Sequence, residues 1–433
     1  MDIQSLYQIY KQYPNITTDT RKIEKDSIFF ALKGANFNGN TFAEQALEIG
    51  ARYVVIDEEI YKKGEQYILV EDVLTALQGL ANHHRKQLNI PVIGVTGTNG
   101  KTTTKELLYS VVSQKYNTYA TKGNLNNHIG VPLTLLAIDA TVEVAIIEMG
   151  ANHLGEIAFL CAIAEPTHGL ISNVGKAHLE GFGSFEGVKK TKGELYDWLQ
   201  DHQGTLFLQG DNPHLGEMAA ARQIAKTVTY GFSESNDIIG KLMKANPLLQ
   251  ISWKTKEDPQ TYVIDTQLTG SYNTENFLAA IAVGLHFNIS PQEINSGIEG
   301  YTPTNNRSQI MKTAQNTVIC DYYNANATSM AAALDNIRII EADKKAVILG
   351  DMFELGAESF DEHRKIVDNV KSMFADRKIF VGKAFFEHRN DDAEFYETTI
   401  EAKTALQEKP IIGATILLKA SRGMAFENLI DIL

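Results

Sequence analysis

The residues best suited to chemistry cluster first in the stretch Gly97-Thr98-Asn99-Gly100-Lys101-Thr102-Thr103. Glycines let backbone N–H groups approach a polyphosphate closely, a lysine supplies a mobile point charge for the β/γ-phosphates, and a following hydroxyl suits Mg²⁺. Lys101 and Thr102 fill those last two roles here. The generic phosphate loop needs a glycine five residues before Gly100, and that position is Val95, so this loop is a shorter variant. Downstream, Glu148 closes an apolar run, Val142 to Ile147. A carboxylate at the C-terminal end of a strand beside a phosphate loop is where a nucleotide site needs a metal ligand. His178 follows another apolar run, Gly169 to Val174, and is expected as a second metal ligand. Asn273 and Asn276 are spaced to share one face at a helix start, where they could read a nucleoside edge or simply cap the helix.

Each of these groups needs an element to hold it. Ile90 to Val95 reads as a buried strand and Thr103 to Val112 as a helix, which places the loop at a strand–helix junction. Before it, Ser27 to Leu32 and Tyr53 to Ile56 read as strands, with a helix from Phe42 to Ile49 between them and Gly50 as its C-cap. After it come a strand at Tyr116 to Ala120 and the asparagine-rich turn Gly123-Asn124-Leu125-Asn126-Asn127-His128, which offers amides to a polar ligand. Phe185 to Leu199 reads as a helix carrying Lys189, Lys190 and Lys192. Residues 205–268 are rich in strand signals, and Phe277 to Phe287 is an apolar helix. The segment Thr302-Pro303-Thr304-Asn305-Asn306-Arg307 is linker-like. Beyond it an alternating pattern ends in an expected helix from Met424 to Ile430 and reads as a Rossmann-like domain. That domain has Asp321-Tyr322-Tyr323-Asn324-Ala325-Asn326 where a dinucleotide fingerprint would stand, so a dinucleotide is not expected. The fold class is therefore α/β, with a small N-terminal α/β domain (residues 1–85), a central P-loop ATPase-like domain with a mainly parallel sheet (86–305) and the C-terminal domain (306–433).

Composition narrows the class. With 433 residues and 44% hydrophobic content there is material for several cores. The 53 acidic and 40 basic residues give a net charge of −13, which argues against a general nucleic-acid binder. Two cysteines, Cys161 and Cys320, imply no disulfide framework and fit a reducing compartment. The N-terminus lacks a signal-peptide pattern and no apolar stretch is long enough to span a bilayer, so a cytoplasmic protein is expected.

Taken together these motifs resemble the Mur ligases of peptidoglycan synthesis, and within them the enzymes that add D-alanyl-D-alanine. The shortened loop is similar to that family's own phosphate loop. The turn at Gly123–Pro132, the stretches Glu148–Asn152 and His178–Ser184, and Tyr323–Asn326, Gly350–Gly356 and Lys419–Gly423 are similar to further family segments along essentially the whole chain. The resemblance implies an ATP-dependent ligase, a monomer, that joins UDP-N-acetylmuramoyl-tripeptide to D-alanyl-D-alanine through an acyl phosphate, using ATP and two Mg²⁺ ions. It implies phosphate contacts from the loop residues Gly97 to Thr103. It assigns Thr102, Glu148 and His178 to the metals, joined by Lys192 if that lysine is carbamylated. Asn273 and Asn276 would stand on the adenine side, and Arg307 with Asp321 on the phosphate and ribose. Thr20, Arg21, Phe37, Asn38, Asn126 and Asn127 would face the UDP precursor; Asn324, Asn326, Ser421 and Arg422 would face the dipeptide. Two positions depart from the family pattern, Asn40 and Tyr272, each standing where a histidine is usual. The competing readings are a ligase for the third amino acid, a folylpolyglutamate synthase, and an inactive nucleotide-binding regulator. Retention of Lys101, Glu148 and His178 together argues against the last, and a GTPase-like switch lacks its Asn-Lys-x-Asp segment.

Overall fold

The computed structural model describes residues 1–176 and 179–433. Three sheets follow one another along the chain. A four-stranded parallel sheet is ordered Ile16–Thr17, Ile28–Phe30, Tyr53–Ile56, Tyr67–Leu69. A nine-stranded sheet fills the middle, with Val92–Thr96 between His168–Ile171 and Val144–Glu148, and Thr118–Ala120 at one edge. All of its pairings are parallel except the last two, where Ile238–Ala245, Leu249–Thr255 and Tyr262–Asp265 run antiparallel to each other. A six-stranded sheet forms the C-terminal part, parallel but for its edge hairpin Gln309–Lys312 with Thr317–Asp321.

The central strands are buried on both faces, as parallel sheets require. Ile93, Val95, Ile146, Leu170 and Phe207 point to one side, against the helices Lys101–Val112 and Thr274–His286. Val92, Ala145, Ile147, Ile171 and Leu206 point to the other, beneath Gly130–Leu136, Glu156–Ala164 and Phe185–Asp201. This double covering leaves the carboxyl ends of the strands as the free edge, and Thr96, Glu148 and Ile171 all end there.

Several elements differ from expectation. The helix expected at Met424 to Ile430 is two 3₁₀ segments, Arg422–Met424 and Phe426–Ile432, because Ala425 between them is left-handed at φ 54°. The strand Ile238–Ala245 and the helices Ile3–Gln12 and Val73–Gln87 have no counterpart in the sequence reading. Val73–Gln87 runs across residue 85, joining the N-terminal sheet's core to that of the central sheet. Both cysteines are buried and free. No helix among the described residues is long and apolar enough to cross a membrane.

Candidate active site

The phosphate loop is held from behind by the neighbouring strand's end. Thr98 N donates to Asn173 O (3.0 Å) and Asn99 N to Asn173 Oδ1 (2.9 Å), while Ser172 Oγ donates to Asn99 O (2.6 Å). Gly97 sits at φ 145°, and a Cβ there would lie 2.1 Å from Ser172 Oγ, so only glycine fits. Gly100 is left-handed at φ 78° and opens the helix Lys101–Val112. Lys101 folds back over the loop, its Nζ donating to Gly97 O (2.8 Å) and Thr98 O (3.0 Å). Burial pulls its ammonium down to about 8; Glu148 works against that shift and Arg307 adds to it.

Glu148 is 1% exposed. Its Oε1 accepts from Asn126 Nδ2 (2.8 Å), its backbone N donates to Thr121 Oγ1 (2.9 Å), and its Oε2 is buried with no partner. A buried carboxylate oxygen left unpaired is costly unless something positive comes to it. Thr102, in the first turn of the helix, lines the same cleft. That pair, a hydroxyl and an orphan carboxylate oxygen, fits a hard divalent cation. His178 lies outside the described residues. Among the described residues no cluster of three or more His, Cys, Asp or Glu side chains forms a metal cage. Lys192 is buried, its Nζ 5.3 Å from the centroid of the Phe182 ring. Burial brings its amine down to about 7, and Lys101 pushes the same way.

Asn273 and Asn276 line the cleft but are also knitted to each other. Asn276 Nδ2 donates to Asn273 Oδ1 (2.9 Å), Asn273 Nδ2 to Thr269 O (2.7 Å), and Thr104 Oγ1 to Asn276 Oδ1 (3.0 Å). The network ties the loop's helix to Thr274–His286.

The far wall comes from the C-terminal part. The Arg307 guanidinium lies 3.9 Å from the centroid of the Tyr323 ring, and its Nε is buried without a partner. Asp321 Oδ2 accepts from Lys419 Nζ (2.6 Å) and Oδ1 from Ser308 N (3.3 Å). Asn326 spans the gap, Nδ2 donating to Asn99 Oδ1 (2.7 Å) while its Oδ1 caps the helix Ala327–Ile339 through Ser329 N (2.9 Å). The cleft so enclosed has a volume of about 600 Å³.

Most expected residues meet there: Thr98 to Thr103, Asn126, Asn127, Glu148, Asn273, Asn276, Arg307, Asp321, Asn324 and Asn326. Asn127 Oδ1 accepts from Ile129 N and Gly130 N, starting the next helix. Others stand off the cleft's lining. Arg21 is on the surface, paired with Asp19 (2.7 Å), beside Thr20 in the same 3₁₀ turn. Phe37 is 59% exposed, and Asn38 is spent bracing Asn40 and reaching Glu58. Asn40, where the family pattern has histidine, is buried and bridges Asn38 to Asp57. Tyr272, the other departure, does line the cleft and pairs with the Ser308 hydroxyl (2.9 Å). Ser421 Oγ accepts from Phe353 N, and the Arg422 guanidinium lies 5.3 Å from the centroid of the Tyr323 ring. The sequence reading assigned Ser308 and Asn173 no part in the site, and named Tyr323 and Lys419 only within family-like segments, without a site role. Lys419 carried a signal, since it ends the strand Thr415–Lys419 on the same sheet edge as Asp321.

Comparison with known proteins follows the same division. The Mur ligase family catalytic domain matches residues 12–85, the Mur ligase middle domain 95–284, and the Mur ligase glutamate ligase domain 306–427. The UDP-N-acetylmuramoyl-tripeptide--D-alanyl-D-alanine ligase of Bacillus subtilis (strain 168) is 37% identical over 428 residues, 96% of this chain and 92% of that protein. The protein of that name from Escherichia coli (strain K12) is 34% identical, again over 96% and 92%. The crystal structure of MurF from Acinetobacter baumannii matches with a TM-score of 0.87 at 29% identity, covering 99% of this chain and 97% of that one. The variant phosphate loop and the strand-end Glu148 fall within the middle-domain match and the C-terminal wall within the glutamate ligase match, and with three family models along its length and a relative 37% identical over 96% of it, the chain belongs to the Mur ligase family.

Proposed function

We propose that this chain joins UDP-N-acetylmuramoyl-tripeptide to D-alanyl-D-alanine at the expense of ATP. The observation that carries it is the single cleft in which Lys101, the unpaired oxygen of Glu148 and Arg307 converge. A carboxylate resists attack by an amine because oxide is a poor leaving group. Transfer of the γ-phosphoryl to the tripeptide's terminal carboxylate breaks the β–γ P–O bond, forms a carboxyl O–P bond and releases ADP. The dipeptide amine then attacks the carbonyl carbon, phosphate leaves with the C–O bond, and the amine gives up a proton. The products are the pentapeptide precursor, ADP and phosphate.

Within that reaction Lys101 leaves the carbonyls of Gly97 and Thr98 and turns to the β/γ-phosphates, for which its charge is poised. Thr102 and Glu148 would hold the first Mg²⁺, and His178 with a carbamylated Lys192 the second; when bound, these ions would neutralise phosphate charge. An amine held near a pKa of 7 is substantially neutral at neutral pH, the form that adds CO₂, so the burial of Lys192 supports that modification. Arg307 and Asp321 complete the phosphate and ribose side. Residues 1–85 bind the UDP precursor, 86–305 bind ATP, and 306–433 bring the dipeptide and close over the acyl phosphate, keeping water from it. The buried free thiols of Cys161 and Cys320 support a cytoplasmic enzyme, and the chain acts as a monomer.

A mass-resolved assay tests this directly. With ATP, Mg²⁺, the UDP-tripeptide and D-alanyl-D-alanine, the pentapeptide should form, and Lys101→Ala should lower turnover by about 10³-fold or more while the protein stays folded. No ATP-dependent pentapeptide would overturn the reading.

A further inference from the structure

Asn126 stands in the asparagine-rich turn, whose amides were expected to meet the UDP precursor. Its side chain faces Glu148: Nδ2 lies 2.8 Å from Oε1. The orientation of the amide is fixed by chemistry, because an ionised carboxylate only accepts, so the atom turned to it must be the N–H₂. The contact is stapled from the backbone as well. Gly150 N donates to Asn126 O (2.7 Å), and Asn126 N to Asn124 O (2.8 Å). A Cβ on Gly150 would sit 3.1 Å from the Asn126 amide, so the glycine two residues after Glu148 leaves the room that this amide occupies. On the other side Thr121 Oγ1 holds the Glu148 backbone N, and Lys105, a residue 1% exposed, donates from Nζ to Thr121 O (2.5 Å).

The result is a carboxylate with one oxygen anchored and the other buried and unpaired. We propose that Asn126 is the positioning residue that fixes Glu148 so that Oε2 faces a divalent cation. The inference rests on the reading of Glu148 as a metal ligand. A neutral amide suits this role because it orients the carboxylate without cancelling its charge, whereas an ammonium at this distance would compete with the cation.

Mn²⁺ binding to the full chain in the presence of ADP, followed by the EPR signal of the free ion, tests the assignment apart from turnover. Glu148→Gln should lose the Mn²⁺ site. Asn126→Ala should raise the Mn²⁺ dissociation constant by about tenfold or more, and leave KM for the UDP-tripeptide within twofold. Gly150→Ala, which only crowds the amide, should shift Mn²⁺ binding the same way by less and serves if Asn126→Ala does not fold. An unchanged Mn²⁺ constant in both variants while Glu148→Gln binds poorly overturns the positioning role, as does a rise confined to KM for the UDP-tripeptide. Unchanged binding in Glu148→Gln overturns the metal reading and the positioning role with it.

Discussion

Lys101 is held between two demands: burial depresses its ammonium to about 8, and phosphate needs it charged. Below that pH the free site carries the charge that attracts ATP. As the pH rises through about 8, the amine of the free protein loses its proton, so kcat/KM for ATP should fall. Bound phosphates stabilise the cation and move its titration upward, so kcat should hold to higher pH than kcat/KM. Steady-state pH profiles check this, and coincident alkaline limbs in both parameters would count against it. Lys101, Thr102 and Glu148 were legible in the sequence because each sits at a strand or helix end that apolar runs mark plainly. Asn126 was legible as a polar turn residue but not as the partner of Glu148, since a contact across 22 residues leaves no local pattern. Lys419 pairs with Asp321 across 98 residues and was hidden for the same reason.

Two backbone features shape the phosphate loop and the segment around Arg307. Gly97 touches Ser172 so closely that Gly97→Ala must displace the loop, at φ 145° where an L-residue is strained in any case. That variant should lose ATP binding, read by nucleotide titration, while thermal unfolding shows the rest of the fold retained; normal ATP affinity would contradict the loop's assignment. At the linker-like segment, Asn306 and Ser308 flank Arg307 with φ of 56° and 49°. Left-handed non-glycine residues cost about 1–2 kcal/mol each, and here Ser308 is tied down by Asp321 and Tyr272. The linker-like composition of 302–307 was legible, but no residue type announced the left-handed backbone on either side of Arg307. Helices Ile3–Gln12 and Val73–Gln87 went unread because their buried faces mix tyrosine, histidine and arginine with the aliphatics; Tyr10, His84 and Arg85 are buried through hydrogen bonds to distant carbonyls.

The whole molecule closes on a contact between its outer and central parts. Asn99, held at both backbone atoms by the Ser172–Asn173 edge, passes its side chain to Asn326, which also caps a C-terminal helix. The tip of the phosphate loop thereby touches the C-terminal part of the chain. Asn326→Ala should favour the open arrangement, giving a larger radius of gyration in solution scattering with ADP present and a lower kcat. An unchanged radius and rate would contradict the bridge. The order of three α/β units was legible from alternating strand and helix signals; their contact was not, because it pairs residues 227 apart. Closure matters only if a reactive acyl phosphate forms in the cleft. Synthesis from a tripeptide whose terminal carboxylate carries ¹⁸O tests that most directly. One labelled oxygen should pass to inorganic phosphate for each pentapeptide formed, whereas pentapeptide formed with unlabelled phosphate would contradict activation through an acyl phosphate.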